Sequence, residues 1–236
     1  MKDFSIHIYA DGASVNGMQQ VQNNLPISGF TTNPSLMKKE GITNYIQFAK
    51  EALNTVHGLP ISFEVFGDDF ITMEKEARKL AGLGSNVFVK IPITNTKGES
   101  SIPLIKTLSL DGIQINVTAV FTLSQIKDVL KAFSPETKNI VSVFAGRIAD
   151  TGVDPLPLMK EAVRLIKDYP QADLLWASCR EVLNIFQAQE IGVDIITVTN
   201  DVLNKLNNVG KDLVSFSLET VQGFQNDVQA LGYTII

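Results

Sequence analysis

The sequence predicts an α/β fold in which a (β/α)8 barrel is followed by an additional C-terminal helix. Short apolar runs alternate about eight times with longer amphipathic stretches, and 236 residues is a common length for one such barrel. The runs are rich in Val, Ile and Phe and almost continuously apolar, which is typical of parallel strands covered on both faces. We therefore expect residues 1–236 to form a single domain.

Eight apolar runs, bounded by polar residues, Gly or Pro, are predicted to be the strands. They span residues 5–11, 27–33, 61–67, 86–93, 114–121, 140–146, 173–180 and 195–200. An open doubly wound sheet is the alternative. It is disfavoured because no glycine-rich dinucleotide fingerprint follows the first run.

The stretches between the strands are predicted to be helices. Residues 123–133 repeat apolar side chains with a period near 3.6, and Thr122 is placed to cap them. Asp154-Pro155 begins another helix with a capping residue followed by proline. Two more helices are expected near 202–206 and 217–231; the second is amphipathic and could pack on the barrel or on another subunit.

Composition and charge exclude several classes of function. The net charge is -5 with scattered Lys and Arg, so we expect no nucleic-acid partner. Residues 1–4 begin no apolar leader and no run is long enough to cross a membrane, so we expect a cytoplasmic protein without a membrane partner. With one cysteine and two histidines, we expect no disulfide, metal site or cofactor.

Lys90 is the residue that an apolar strand explains least well. Both faces of a barrel strand are buried, and burial disfavours a charged ammonium. A neutral lysine amine can attack a carbonyl and form a Schiff base. The alternative interpretation is a lysine paired with a buried carboxylate as a device of the fold.

Other polar residues follow the strands where a barrel places its active site. Asp11 and Glu64 are candidate acid–base groups, or else hydrogen-bonding groups at the barrel rim. Arg147 and Arg180 could form a phosphate clamp, or else surface ion pairs. Smaller side chains could hold substrate hydroxyls or satisfy the local backbone; these are Asn33, Asn116, Thr118, Ser142 and Ser178.

Five segments in order resemble the motifs of the transaldolase family. They are GFTTNPSL at 29–36, VKIP at 89–92, NVT at 116–118, SVFAGRI at 142–148 and ASCR at 177–180. The matches span most of the chain. The family comprises transaldolases, which transfer a dihydroxyacetone unit between sugar phosphates, and the similar fructose-6-phosphate aldolases. Both adopt a TIM barrel and use a lysine Schiff base.

The resemblance implies specific roles. Lys90 would attack the ketose carbonyl, Glu64 and Thr118 would relay protons through a water, and Asp11 would accept the C4 hydroxyl proton. Hydroxyls of the substrate would be held by Asn33, Asn116 and Ser142, and its phosphate by Arg147, Ser178 and Arg180. Small family members often form homo-oligomers, so we expect one here, acting on sugar phosphates of the pentose phosphate pathway.

Two positions discriminate between the activities. Transaldolases carry an acid on the third strand and Phe on the sixth, where the aldolases carry Gln and Tyr. Glu64 and Phe144 therefore favour transaldolase. Three alternatives remain: an aldolase, a catalytically silent sugar-phosphate binding barrel, and a phosphate-binding barrel isomerase.

Overall fold

A computed structural model describes residues 4–236, so most of the N-terminal segment 1–4, where no apolar leader is expected, lies outside the described part. The chain divides into two compact units, the first ending at Leu203 and the second spanning Asn204–Ile236. The first unit contains all eight strands.

The eight strands form a closed parallel barrel, as predicted. Neighbours along the chain pair with each other, and the last strand pairs with the first. The strands are β1 His7–Asp11, β2 Gly29–Thr31, β3 Ile61–Glu64, β4 Val87–Pro92, β5 Ile115–Val120, β6 Asn139–Val143, β7 Ala172–Trp176 and β8 Ile195–Thr199. Because all run in the same direction, their C-terminal ends meet on one face of the barrel.

Helices follow the strands, and several begin with the capping side chains that the sequence shows. Thr122 and Gln125 form a complete capping box. The helices of the first unit are α1 Val15–Asn24, α2 Pro34–Lys39, α3 Tyr45–Val56, α4 Phe70–Ala81, α5 Ile102–Leu110, α6 Leu123–Ala132, α7 Ala145–Ala149, α8 Leu156–Ile166, α9 Val182–Ile191 and α10 Asn200–Leu203.

The second unit begins where the helical stretch predicted near 202–206 changes from an α-helix to a 3-10 helix. The α-helix stops at Leu203 and continues as a 3-10 helix over Asn204–Asn208, so the predicted stretch is helical but only its first part is an α-helix. The run Asn-Lys-Leu-Asn-Asn contains three asparagines, whose side chains compete with the helical backbone for hydrogen bonds.

The predicted C-terminal helix is present and longer than expected. It is α11 Leu213–Leu231, capped by Asp212 at its start and ended by the left-handed Gly232. Its apolar side chains, including Phe224, are exposed. None of the helices described in residues 4–236 combines the length and apolar content that a membrane span requires.

Strand alternation decides which side chains enter the barrel. Residues two apart share a face, so Tyr9 and Phe88 of the apolar barrel interior lie on the same faces as Asp11 and Lys90. Gly29 faces the Tyr9 ring, whose carbons lie 2.6 Å from where a Cβ would stand. The apolar layer thus forms a floor below the polar strand ends.

Gly146 allows a close approach between α7 and the loop after β7. A Cβ at Gly146 would stand 1.6 Å from the backbone carbonyl oxygen of Ser178. Ser178 itself has a φ of 61°, a left-handed conformation that non-glycine residues seldom adopt. Because the obstructing atom belongs to the backbone, no side-chain rotation could relieve the clash.

We expect Gly146→Ala to lower the free energy of unfolding by about 3 kcal/mol or more, because two backbone segments would have to separate. The measurement is urea-induced unfolding followed by circular dichroism. Gly223→Ala in α11 is the matched control, since nothing lies within 4 Å of its added Cβ. It should be neutral or stabilise by up to about 1 kcal/mol. Equal effects of the two substitutions would contradict this account.

Candidate functional site

A cavity of about 490 Å³ lies at the C-terminal ends of the strands. Its volume is within the range of small-molecule sites, roughly 300–1,000 Å³. Ten of the eleven predicted site residues line it: Asp11, Asn33, Glu64, Lys90, Thr118, Ser142, Phe144, Arg147, Ser178 and Arg180. Residues from segments far apart in the chain therefore line one cavity, as the sequence predicted for this end of the barrel.

Lys90 is buried, with only 6% of its surface exposed. Its Nζ donates to the backbone carbonyl of Thr32 at 2.8 Å and lies 3.1 Å from Oε2 of Glu64. The ion pair that would serve as a device of the fold is therefore present. The same lysine also lines the cavity, so the pairing holds its amine at the cavity.

Glu64 is positioned by its strand and by an aromatic anchor. It lies opposite Lys90 in the β3–β4 register. The hydroxyl of Tyr45 donates to its backbone carbonyl at 2.7 Å, and the Tyr45 ring stacks on Phe66 at 4.6 Å between centroids. These contacts fix the end of β3, which is short.

Asp11, at the end of β1, is the second carboxyl group near Lys90. Burial raises its pKa above the ordinary value, while the charge of Lys90 and hydrogen bonds from Thr31 and Asn33 oppose part of the rise. A carboxyl group whose pKa is raised in this way keeps a proton more readily once it has accepted one, which suits a group that must also return it.

Asn33 has two tasks that use different ends of its amide. Its oxygen Oδ1 accepts from the backbone N–H of Leu36 at 2.9 Å and so caps α2. Its side chain also hydrogen-bonds to Asp11. Asn33 therefore does both things that the sequence presented as alternatives. Its side chain bonds to the local backbone, and it also lines the cavity.

Thr118 stands at an irregularity of β5. The β5–β6 register shifts between Val117 and Val120, and Ala119 has a φ of 58°. Such bulges re-aim side chains next to functional sites. The buried hydroxyl oxygen of Thr118 makes no hydrogen bond with any other described residue. It is therefore an unpaired polar atom in a residue that lines the cavity.

Asn116 is the predicted site residue that does not line the cavity. It is fully buried, donates to the hydroxyl of Ser62 at 3.0 Å and accepts from the hydroxyl of Ser142 at 2.6 Å. Ser142 does line the cavity. The structure thus places Asn116 behind Ser142, one hydrogen bond away from the cavity.

The two arginines border the cavity on the side of β6 and β7. The Arg147 guanidinium lies over the Phe144 ring, 5.5 Å from its centroid. Arg180 forms a salt bridge with Asp150, and its Nε donates to that carboxylate at 3.2 Å. Asp150 was not predicted. No local spacing pointed to this pair, because Asp150 and Arg180 are 30 residues apart in the chain.

Cys179 is buried between two of the predicted site residues, Ser178 and Arg180. Its thiol contacts the backbone carbonyl of Glu181 at 3.3 Å, and burial raises its pKa to about 12. A thiol that stays protonated is a poor nucleophile.

Two threonines that the sequence analysis overlooked also lie in this cavity. Thr31 and Thr197 are nearly buried and hydrogen-bond to each other at 2.5 Å. Strand alternation was the clue, because Thr31 lies two residues before Asn33 and Thr197 two before Thr199. In residues 4–236, no group of His, Cys, Asp and Glu side chains is placed to hold a metal ion.

The side chains that line the cavity therefore form two chemically distinct groups. One holds an amine and two carboxyl groups, which suits covalent catalysis at a carbonyl with proton transfer. The other holds two guanidinium groups, which suit an oxyanion such as phosphate.

Comparisons with known proteins identify relatives of this chain. A curated relative from Methanococcus maripaludis, named "Probable transaldolase", is 36% identical over 201 residues, covering 85% of this chain and 89% of the relative. One of the same name from Kosmotoga olearia is 38% identical over 202 residues, covering 85% and 88%. These names indicate an enzyme of the transaldolase type.

Solved structures bear on the fold alone. The crystal structure of 2,3-dimethylmalate lyase matches with a TM-score of 0.55 at 9% identity, covering 98% of this chain and 85% of that one. The family model described as "Transaldolase/Fructose-6-phosphate aldolase" matches residues 8–235. With that match and with relatives above 30% identity, the chain belongs to the transaldolase/fructose-6-phosphate aldolase family.

Proposed function

We propose that the protein is a transaldolase that moves a dihydroxyacetone unit from sedoheptulose 7-phosphate to glyceraldehyde 3-phosphate through a Schiff base on Lys90. The observation that carries the proposal is the position of Lys90. Its buried amine reaches the cavity and lies 3.1 Å from Glu64, and Asp11 lines the same cavity. Binding of a sugar phosphate alone would not require a lysine in that place.

Lys90 is the best nucleophile that the described cavity offers. Cys179 also borders it, but burial raises the pKa of that thiol to about 12. The hydroxyl groups of the cavity would need a neighbouring histidine or another strong base, and neither His7 nor His57 lines it. A lysine amine needs only to lose a proton, and Glu64 stands beside it to exchange one.

The first half of the reaction forms and uses the imine. The neutral Lys90 amine attacks C2 of the ketose to give a carbinolamine, and water leaves to form an iminium. Glu64, with a water held by Thr118, carries the protons of these steps. Asp11 takes the proton of the C4 hydroxyl as the C3–C4 bond breaks, and the bonding electron pair moves into the iminium to give an enamine.

The second half reverses these steps on a different aldehyde. The released aldose leaves, the acceptor aldose enters, and the enamine carbon attacks its C1 carbonyl. Asp11 returns its proton to the new alkoxide, and hydrolysis of the iminium releases the product ketose from Lys90. Asp11 must therefore act as both base and acid, and burial raises its pKa in the direction that this double role requires.

The remaining residues bind the substrate. Asn33 and Ser142 face the dihydroxyacetone hydroxyls, with Asn116 holding Ser142 from behind at 2.6 Å. Arg147, Ser178 and Arg180 would hold the terminal phosphate at the opposite end of the cavity. The length of the cavity thus separates the reacting carbonyl from the phosphate.

Phe144 favours transfer over release to water. Its ring packs against the apolar barrel interior and against Phe121, with 5.7 Å between ring centroids. It has no hydroxyl to hold a water near the enamine, so the intermediate would wait for an aldehyde. Glu64 supports the same choice through the family resemblance. The proposed setting is the cytoplasmic pentose phosphate pathway, with the protein as a homo-oligomer.

The activity is tested by release of glyceraldehyde 3-phosphate from fructose 6-phosphate, with and without erythrose 4-phosphate. We expect strong dependence on the acceptor, because Phe144 offers no hydroxyl to hold a water against the enamine, which then waits for an aldehyde. A coupled dehydrogenase assay measures the release. Equal release in both conditions would mean that the protein is an aldolase. No release in either condition would favour a catalytically silent barrel that only binds sugar phosphates.

The Schiff base is tested by borohydride reduction in the presence of fructose 6-phosphate. We expect one stable adduct, located on Lys90 by intact-mass measurement and peptide mapping, and its loss in Lys90→Ala. Lys106→Ala, which removes an exposed lysine on α5, is the matched control and should label as the wild type does. Undiminished labelling of Lys90→Ala would show that another residue forms the imine.

The phosphate end is tested with inorganic phosphate and thermal unfolding. At a phosphate concentration about ten times Kd, we expect the wild-type Tm to rise by roughly 3 °C, because ligand binding stabilises the folded state. Arg147→Ala and Arg180→Ala should lose most of this rise. The control is Arg164→Ala, which removes a largely exposed arginine on α8. If all three variants keep the full rise, phosphate binds elsewhere.

A further inference from the structure

We infer that Thr197 and Thr31 form a chain of hydroxyl groups that positions Asp11 and directs a hydrogen-bond donor toward its carboxylate. This inference rests on the proposed function, in which Asp11 is the base for C3–C4 cleavage. Neither threonine belongs to the set of residues assigned to the reaction above. The two come from strands on either side of β1.

The distances between the oxygen atoms define the chain of hydroxyl groups. Thr31 Oγ1 lies 2.7 Å from Oδ1 of Asp11 and 2.5 Å from Oγ1 of Thr197. Only 2% of Thr31 and 6% of Thr197 is exposed, so water has little access to either hydroxyl. Both contacts are short enough to be hydrogen bonds.

The single proton of each hydroxyl fixes the direction of the chain. An ionised carboxylate can only accept, so the Thr31 proton must point to Asp11. Thr31 then has only lone pairs to offer Thr197, so Thr197 must donate to Thr31. Successive donors polarise one another, and the chain therefore stabilises the ionised base more than one isolated hydroxyl would.

The hydroxyl chain also gives different roles to the two carboxylate oxygens of Asp11. Because Thr31 engages Oδ1, the substrate proton is assigned to Oδ2. The rotation of the carboxyl group about its Cβ–Cγ bond is then restricted before substrate arrives, which is the preorganisation that a general base needs. Thr31 and Thr197 act through Asp11 and are positioning residues.

Several charged groups surround Asp11 and bear on its titration. Lys90 on β4 favours the ionised form and Glu64 on β3 opposes it. A neighbouring cavity that shares Asp11 has three exposed charged side chains among its lining residues: Lys39, Glu40 and Asp201. Substitution of threonine by valine changes none of these charges, so a shift in titration would report the lost hydroxyl itself.

The test is the pH dependence of kcat/KM for acceptor-dependent transfer, measured for Thr31→Val, Thr197→Val and the two serine variants. Thr31→Val should move the acidic limb upward by about one to two pH units, because a hydrogen bond to a charged group is lost. Thr197→Val should move it less, in the same direction. The serine variants keep the hydroxyls and should restore the wild-type limb.

Two controls distinguish an effect of the hydroxyl chain from an effect on folding and from a failure of the proposed function. Thr137→Val removes a buried hydroxyl that bonds only to the backbone of Ser109 at 2.8 Å, so it should leave the pH profile unchanged. Borohydride trapping on Lys90 should persist in every variant, since imine formation does not use Asp11. If the pH profiles of both valine variants overlay that of the wild type, the hydroxyl chain does not position Asp11. If the wild-type protein shows neither transfer nor trapping, the proposed function is wrong, and the role of the hydroxyl chain falls with it.

Discussion

The hydrogen bonds between β1 and β8 close the barrel, and the candidate site depends on that closure. In this pairing Asp11 lies opposite Thr199, and Thr31 on one side of β1 reaches Thr197 on the other. An open sheet made of the same strands would separate β1 from β8 by the width of the sheet. The carboxyl group of Asp11 would then lose its neighbours from β8 and part of the burial that raises its pKa.

Placing Lys90 inside this barrel costs stability that the neighbouring groups only partly return. A buried ammonium loses its hydration, and a carboxylate at 3.1 Å together with one carbonyl at 2.8 Å compensates incompletely. An apolar side chain would fill the same position without that cost. Such a side chain could not form an imine, so the arrangement is understandable as stability given up for chemistry.

The sequence predicted the strands well because apolar runs and their polar ends are local properties. It also predicted that Lys90, Glu64 and Asp11 would lie together, and all three line the cavity, since a charged residue in an apolar strand conflicts with its surroundings. It could not predict the bond between Thr31 and Thr197, which are 166 positions apart and meet only through the stagger of the closed barrel. Asp150 was missed for a similar reason: its partner Arg180 lies on another loop.

The hydrogen bonds of the cavity show which polar groups are already occupied. Ser62, Asn116 and Ser142 form one chain, and Thr197, Thr31 and Asp11 form another. Of the buried side-chain oxygens described without a partner, only that of Thr118 belongs to a residue lining the cavity. A buried hydroxyl left unpaired costs about 1–3 kcal/mol, and a bound molecule or its water would recover that energy. The fold thus holds Asp11 and Ser142 in fixed hydrogen bonds and leaves the Thr118 hydroxyl unpaired, as the proposed transfer of protons through a water at that hydroxyl requires.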